Sequence, residues 1–310
     1  MGASSFLSRQ QVICPPSLLR RATGANPAVT AIVGADHPVA LDSARQALEA
    51  GIIEPVLIGS LSGIESAAQE IGWDISGLEV VEALGEAGAA QVGAQLASSK
   101  RVQMVMKGHV HSDTFMRPLL TKEGGIRGLG RLSHVFHMTV PDNDKAIMLT
   151  DCALNVAPNI KTRIAIIENV VTLAHKLGIT TPRVALLAAS EMISGAMPVT
   201  EECARIAEHF SASDLNAEVF GPLAFDNIVS VDAAKMKGIE HPVAGDADVI
   251  VVPTIETGNA LFKMMVYFMS ACAGGIVLGG SVPALLTSRA DPPAARLASA
   301  ALGAISARPG

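Results

Sequence analysis

Short apolar runs recur along the chain, and most are followed by a stretch with helical spacing. Residues 28–33 read as a first strand, and 39–50, with one apolar side and a stop at Gly51, as an amphipathic helix. Residues 55–58 form the next strand; 62–71 and 86–98 carry helical spacing, with Val80-Val81 a brief strand between them. The run 102–106 predicts a strand that delivers Lys107-Gly108 to its carboxyl end. The alternation continues through a strand at 146–149, a long helix at 160–177, a strand at 184–187 and helices at 201–210 and 225–236. Strands at 249–252, 276–278 and 284–286 and a last helix at 294–306 complete it. Alternation of this kind predicts an α/β protein with a mainly parallel sheet.

In such sheets ligands bind beyond the carboxyl ends of strands. Those ends carry Lys107-Gly108, Thr150-Asp151, Ser190, Glu256-Thr257-Gly258-Asn259 and Ser288-Arg289, so polar residues gather where the fold places a site. The stretch around Thr257-Gly258-Asn259 reads as a glycine turn into a helix start, an arrangement that aims N–H groups at an anion. Lys263 then falls in the first helical turn, where a cation suits the helix dipole poorly unless an anion binds beside it.

Composition narrows the classes. Hydrophobic residues make up 49% of the chain and charged residues 17%, with a mean hydropathy of +0.40. This fits strands buried on both faces. No apolar run reaches the roughly 18 residues of a membrane span, so no membrane partner is expected. The net charge of −6 argues against nucleic acid as a partner. Cys14, Cys152, Cys203 and Cys272 are scattered without a paired spacing, which points to neither a disulfide framework nor structural zinc, and to a reducing cytoplasm. No cleavable secretory signal is evident.

Several stretches carry candidate chemistry. His109-Val110-His111-Ser112-Asp113 has a spacing open to metal ligands, but the other histidines do not group with it. A strand-to-helix loop with Ser112 or Asp113 as N-cap is the favoured reading, and no metal is expected. Arg117, Arg127 and Arg131, interleaved with glycines, suit phosphate groups, since arginine makes bidentate contacts to them. Ser133-His134 with Asp151 permits a triad, but no Gly-x-Ser-x-Gly elbow surrounds Ser133. Asp151 and Asn155 either orient a substrate or cap the long helix, and Asp246 and Asp248 look structural. Gly221-Pro222 reads as a turn.

Taken in order, Met106-Lys107-Gly108, Arg117-Pro118, Thr150-Asp151…Asn155…Pro158, Gly221-Pro222-Leu223…Asp226, Ala244-Gly245-Asp246-Ala247-Asp248, Gly258-Asn259…Lys263 and Ser288-Arg289 resemble the phosphate acetyltransferase/phosphate butyryltransferase family. The resemblance covers nearly the whole chain from about Val29. It implies an acyltransferase catalysing acyl-CoA + phosphate ⇌ acyl phosphate + CoA, with coenzyme A as substrate or product and no cofactor. The implied fold is two α/β domains with a cleft between them, similar to the isocitrate and isopropylmalate dehydrogenases. Residues 1–150 with 281–310 would form the first domain and 151–280 an inserted second one. A homodimer or larger homo-oligomer is implied as well.

By this resemblance Ser288 and Arg289 match the family's active-site pair, and Asp291 lies close by as in the butyryl branch. Lys107, Arg117, Arg127, Arg131, Ser133, Asn155, Asn259 and Lys263 are the substrate-binding candidates. Tyr267 stands where acetyl-specific members carry arginine, and Ala295 where they carry an acid proposed as the base. Two other classes use the same residues differently. A metal- and NAD-dependent dehydrogenase of this fold would draw on Asp226, Asp246 and Asp248, and a non-catalytic acyl-CoA sensor would retain only the binding groups.

Overall fold

The computed structural model describes residues 6–121, 124–128, 130–143, 145–288 and 290–309. From the amino terminus the chain forms α1 (Pro16–Ala22), β1 (Ala28–Val33), α2 (Pro38–Glu49), β2 (Ile53–Gly59), α3 (Leu61–Ile71), β3 (Glu79–Glu82), α4 (Gly85–Ser98), β4 (Met104–Lys107) and α5 (Ser112–Leu119). It continues through β5 (Ser133–Thr139), β6 (Ile147–Thr150), α6 (Ile160–Lys176), β7 (Arg183–Leu187), α7 (Pro198–Ser211), β8 (Glu218–Leu223), α8 (Phe225–Val229), α9 (Val231–Met236), β9 (Val249–Val251) and α10 (Ile255–Met269). The last elements are β10 (Cys272–Leu278), β11 (Ala284–Leu285) and α11 (Pro293–Ala307). The predicted alternation of strand and helix is present, and the sheets are mostly parallel.

Contacts divide the chain into two compact units. The first is Val12–Leu132 with the chain from Gly274 onward; the second is Ser133–Ala273 with the residues before Val12. The family resemblance implies that residues 133–150 belong with the first domain. Here β6 lies parallel to β9, with Met148 opposite Val249, so this stretch clusters with the inserted unit.

In the first unit the strand order is β3-β2-β1-β4-β11-β10, with only the β10–β11 pair antiparallel. The chain runs outward from β1 to β2 and β3, then returns through α4 to β4 on the other side of β1. That reversal makes the carboxyl ends of β1 and β4 a topological switch point, where a crevice opens in folds of this kind. Ile32, Val33, Leu57, Ile58, Met104, Val105 and Met106 are buried and form the centre of the core.

The inserted unit orders its strands β5-β6-β9-β7-β8, with β5 antiparallel to β6 and the rest parallel. Arg183 fixes the start of β7 to that of β9: its main-chain N and Nε donate to Asp248 at 2.9 and 3.2 Å, and its guanidinium pairs with Asp246, as does Lys145. Asp246 and Asp248 are thus structural. Two local expectations need correction. Gly221-Pro222 lies in β8, not in a turn; β8 is the last strand in that order, and an edge is where a strand tolerates proline. The helix expected over 225–236 is two helices, because the Ser230 hydroxyl leaves helical geometry to accept from Ala233 N at 3.2 Å. No helix among the described residues is long and apolar enough to cross a membrane.

Candidate active site

The switch point of the first unit is built from three parallel strand ends. Strand β1 ends at Val33 and leads through Gly34 to His37, which starts α2; β4 ends in Lys107; β11 leads into Thr287 and Ser288. A cavity of about 100 Å³ lies there, lined by Ile32, Val39, Met106, Lys107, Ser288 and Arg296 among others. Close chain approach is what brings these ends together. Gly108 N donates to Val33 O at 2.8 Å, and a Cβ at Gly108 would stand 2.5 Å from Gly34 O. No side chain fits that space.

Lys107 is 3% exposed, and its Nζ donates to the carbonyls of Val110 at 3.1 Å and Gly108 at 3.4 Å. Thr287 Oγ1 donates to Lys107 O at 3.1 Å, tying the β11 end to the β4 end. Ser288 is exposed, and its main-chain N donates to Asp291 Oδ2 at 2.6 Å. Burial holds the Asp291 carboxyl above the usual carboxylate range, opposed by that N–H and by the charges of Arg296 and Lys107. Arg296, on α11, donates to Asp291 O and has a buried Nε with no partner among the described residues. Asp291 and Arg296 therefore brace the turn that presents the Ser288 hydroxyl. Arg289 lies outside the described residues.

The remaining basic candidates of this unit are not in the cavity lining. Arg117 lies on α5 with its side chain 79% exposed, facing Asp113 at 3.8 Å. Arg127 and Arg131 are exposed, whereas Ile126 is buried, with its N donating to Leu119 O and its O accepting from Ser281 N. His109 stacks on His37 with ring centroids 3.8 Å apart, and His111 Nδ1 lies 2.8 Å from a Glu86 oxygen. His111 itself is the N-cap residue of α5, not Ser112 or Asp113. Among the described residues no three His, Cys, Asp or Glu side chains gather as a metal would require.

The inserted unit has a second set of strand-end groups. Asp151, after β6, is 1% exposed and accepts from His134 N, Ala153 N, Leu154 N and Asn155 Nδ2 at 2.6–3.0 Å. Its oxygens are occupied by the loop they shape, and Asn155 is buried against it. Asn159, not Asp151 or Asn155, caps α6, accepting from Thr162 N at 2.9 Å. Ser133 is fully buried and accepts from Asn169 Nδ2 at 2.9 Å, so a Ser-His-Asp triad is not assembled. His134 and His137 are also buried, and desolvation pushes both imidazoles down to about 4. Burial and the Asp151 charge push the Cys152 thiol up, which keeps it protonated and unreactive.

Gly258 and Asn259 were expected in a loop before a helix; they lie inside α10, which begins at Ile255. A Cβ at Gly258 would stand 2.7 Å from Cys152 Sγ, so this glycine lets α10 rest on the loop after β6. Asn259 and Lys263 follow one turn apart on the same face, and Lys263 is exposed beyond the first helical turn. Sequence reasoning did not single out His37 and Arg296. The same strand-end rule that found Lys107 points to His37 after β1; Arg296 lies in the first turn of α11, with no local signal.

A protein-family model described as phosphate acetyl/butaryl transferase matches residues 86–304. The chain is 40% identical to a phosphate acetyltransferase of Rickettsia prowazekii over 281 residues, covering 89% of this chain and 79% of that one. It is 39% identical to a phosphate butyryltransferase of Clostridium acetobutylicum over 278 residues, covering 89% and 92%. Among solved structures it is similar to a branched-chain phosphotransacylase from Enterococcus faecalis V583, with a TM-score of 0.78, 31% identity, and 90% and 99% of the two chains covered.

Proposed function

The chain belongs to the phosphate acetyl/butyryltransferase family, and from that premise we propose that it catalyses acyl-CoA + phosphate ⇌ acyl phosphate + CoA on short-chain acyl groups. The family match over residues 86–304 carries this reading. It also supports coenzyme A as substrate or product, with no further cofactor.

In this reading phosphate oxygen attacks the thioester carbonyl, the carbon–sulfur bond breaks, and the CoA thiolate leaves. Ser288, held out on its braced turn, offers a hydrogen bond from its hydroxyl to the developing oxyanion. Arg289, paired with Ser288 by resemblance, receives the phosphate. Asp291 acts through the Ser288 main-chain N–H, and the buried Lys107 adds positive charge beneath. Thiolate is a good leaving group near neutral pH, so positioning of the two anionic substrates is the main catalytic demand. Arg117, Arg127 and Arg131, and separately Asn259 and Lys263, are exposed or half-exposed and open to anionic parts of the substrates. The buried, engaged Ser133 and Asn155 fit bracing roles better than substrate contact.

An isocitrate/isopropylmalate dehydrogenase-like arrangement and a cytoplasmic setting belong to the same reading. The insertion of residues 133–273 supports the former, and four free, buried cysteines the latter. A homodimer or larger homo-oligomer is supported by the half-exposed Met264, Tyr267, Phe268 and Met269 on α10.

The test is phosphate-dependent CoA release, followed with a thiol reagent, from acetyl-, propionyl- and butyryl-CoA. Release that requires both phosphate and protein is expected; none from any acyl-CoA would refute the reading.

A further inference from the structure

We propose that the cavity at the carboxyl ends of β1 and β4 takes the acyl tail of the thioester, and that Val39 sets the longest tail admitted. The inference rests on the transferase reading and specifies its substrate. Ser288, the group assigned to the carbonyl oxygen, lines this cavity, so a tail continuing from that carbonyl has it as the adjoining space. Ile32, Val39, Ala40 and Met106 form walls without a side-chain donor or acceptor. Most polar side chains in the lining are turned onto main chain or onto each other. Lys107 donates to the carbonyls of Val110 and Gly108, Ser43 to that of Val39, Thr287 to that of Lys107 and Arg296 to that of Asp291, its Nε alone keeping no partner among the described residues, and His37 stacks on His109. A phosphate placed here would lose water against apolar walls, whereas a hydrocarbon tail would gain by it.

Size then limits the chain. A cavity of about 150 Å³ admits the six carbons of benzene, so one of about 100 Å³ takes roughly four. Acetyl, propionyl and butyryl groups are covered within it, whereas the last carbons of a hexanoyl group would be left in water. Val39 is the wall residue suited to adjusting this limit. It is 41% exposed, in the first turn of α2, so a larger or smaller side chain there disturbs no core packing.

The experiment measures kcat/KM for acetyl-, butyryl- and hexanoyl-CoA, and KM for phosphate, in the wild-type enzyme and in Val39→Phe and Val39→Ala. Val39→Phe is expected to lower the butyryl-to-acetyl ratio by roughly ten-fold, the discrimination usual for a methylene or two in an apolar pocket. Val39→Ala is expected to raise the hexanoyl-to-butyryl ratio by a similar factor. Unchanged ratios in both variants would overturn the proposal, and unchanged ratios with a raised KM for phosphate would assign the cavity to phosphate instead. Wild-type protein that turns over no acyl-CoA would overturn the transferase reading and this proposal with it; turnover with unmoved ratios overturns this proposal alone.

Discussion

Acidification should destabilise the inserted unit well before ordinary carboxylates titrate. His134 and His137 both lie on β5, buried, with imidazoles that desolvation pushes from 6.5 down to about 4. The negative charge of Asp151 opposes this for His134 without reversing it. Unfolding returns each ring to water and its ordinary value, so below about pH 6.5 the unfolded chain binds protons that the folded chain refuses. Stability is therefore complete above about pH 7 and is lost as pH falls toward 4. Between pH 7 and 5 each histidine contributes a loss of about 2 kcal/mol, and the pair about 4 kcal/mol. That is a large share of the roughly 5–15 kcal/mol by which domains are stable. Equilibrium urea unfolding at pH 7, 6 and 5, followed by circular dichroism, measures the loss, and NMR titration of the imidazoles identifies its source. Since neither ring nitrogen of His134 has a partner among the described residues, His134→Leu should leave stability at pH 7 nearly unchanged and halve the acid loss. A loss below about 1 kcal/mol between pH 7 and 5, or histidine resonances that all titrate near 6.5, would refute the reasoning.

Three further outcomes are expected. Gly258→Ala should cost about 1–3 kcal/mol of stability, read as a lowered Tm, because its Cβ would meet Cys152 Sγ at 2.7 Å and Cys152 Cα at 2.9 Å. Asp291→Ala should lower kcat roughly ten- to hundred-fold by releasing the Ser288 turn, whereas Asp291→Asn, which still offers an oxygen to Ser288 N, should recover most of it; equal losses in the two variants would make the charge, not the brace, the essential feature. Arg289→Ala should raise KM for phosphate and lower kcat together, and a wild-type kcat/KM for phosphate would remove Arg289 from the site.

Much of the architecture was legible because burial on both faces imposes apolar runs that short-range pattern detects. The strands around Ile32, Leu57 and Val105 and the helices after them stand close to where periodicity places them. What escaped was structure with mixed local signals. Strand β5, Ser-His-Val-Phe-His-Met-Thr, has no apolar run, and its histidines read as polar until the fold buries them. Strand β8 contains Gly221-Pro222, which locally favours a turn and is overruled by pairing with β7.

The candidate site divides along the same line. Residue chemistry and strand ends were enough to nominate Lys107, Ser288 and Asp291, because a short range of sequence decides which side chain follows a strand. Tertiary structure alone decided what each does next: that Asp291 holds Ser288 N–H, that Arg296 reaches Asp291 from α11, and that Val39 closes a cavity with Ile32 and Met106. Only tertiary structure, too, turned Ser133 and Asn155 inward to Asn169 and Asp151. A polar residue at a strand end faces a ligand or the protein according to which partner lies within about 3 Å, and that distance is set by packing between segments remote in sequence.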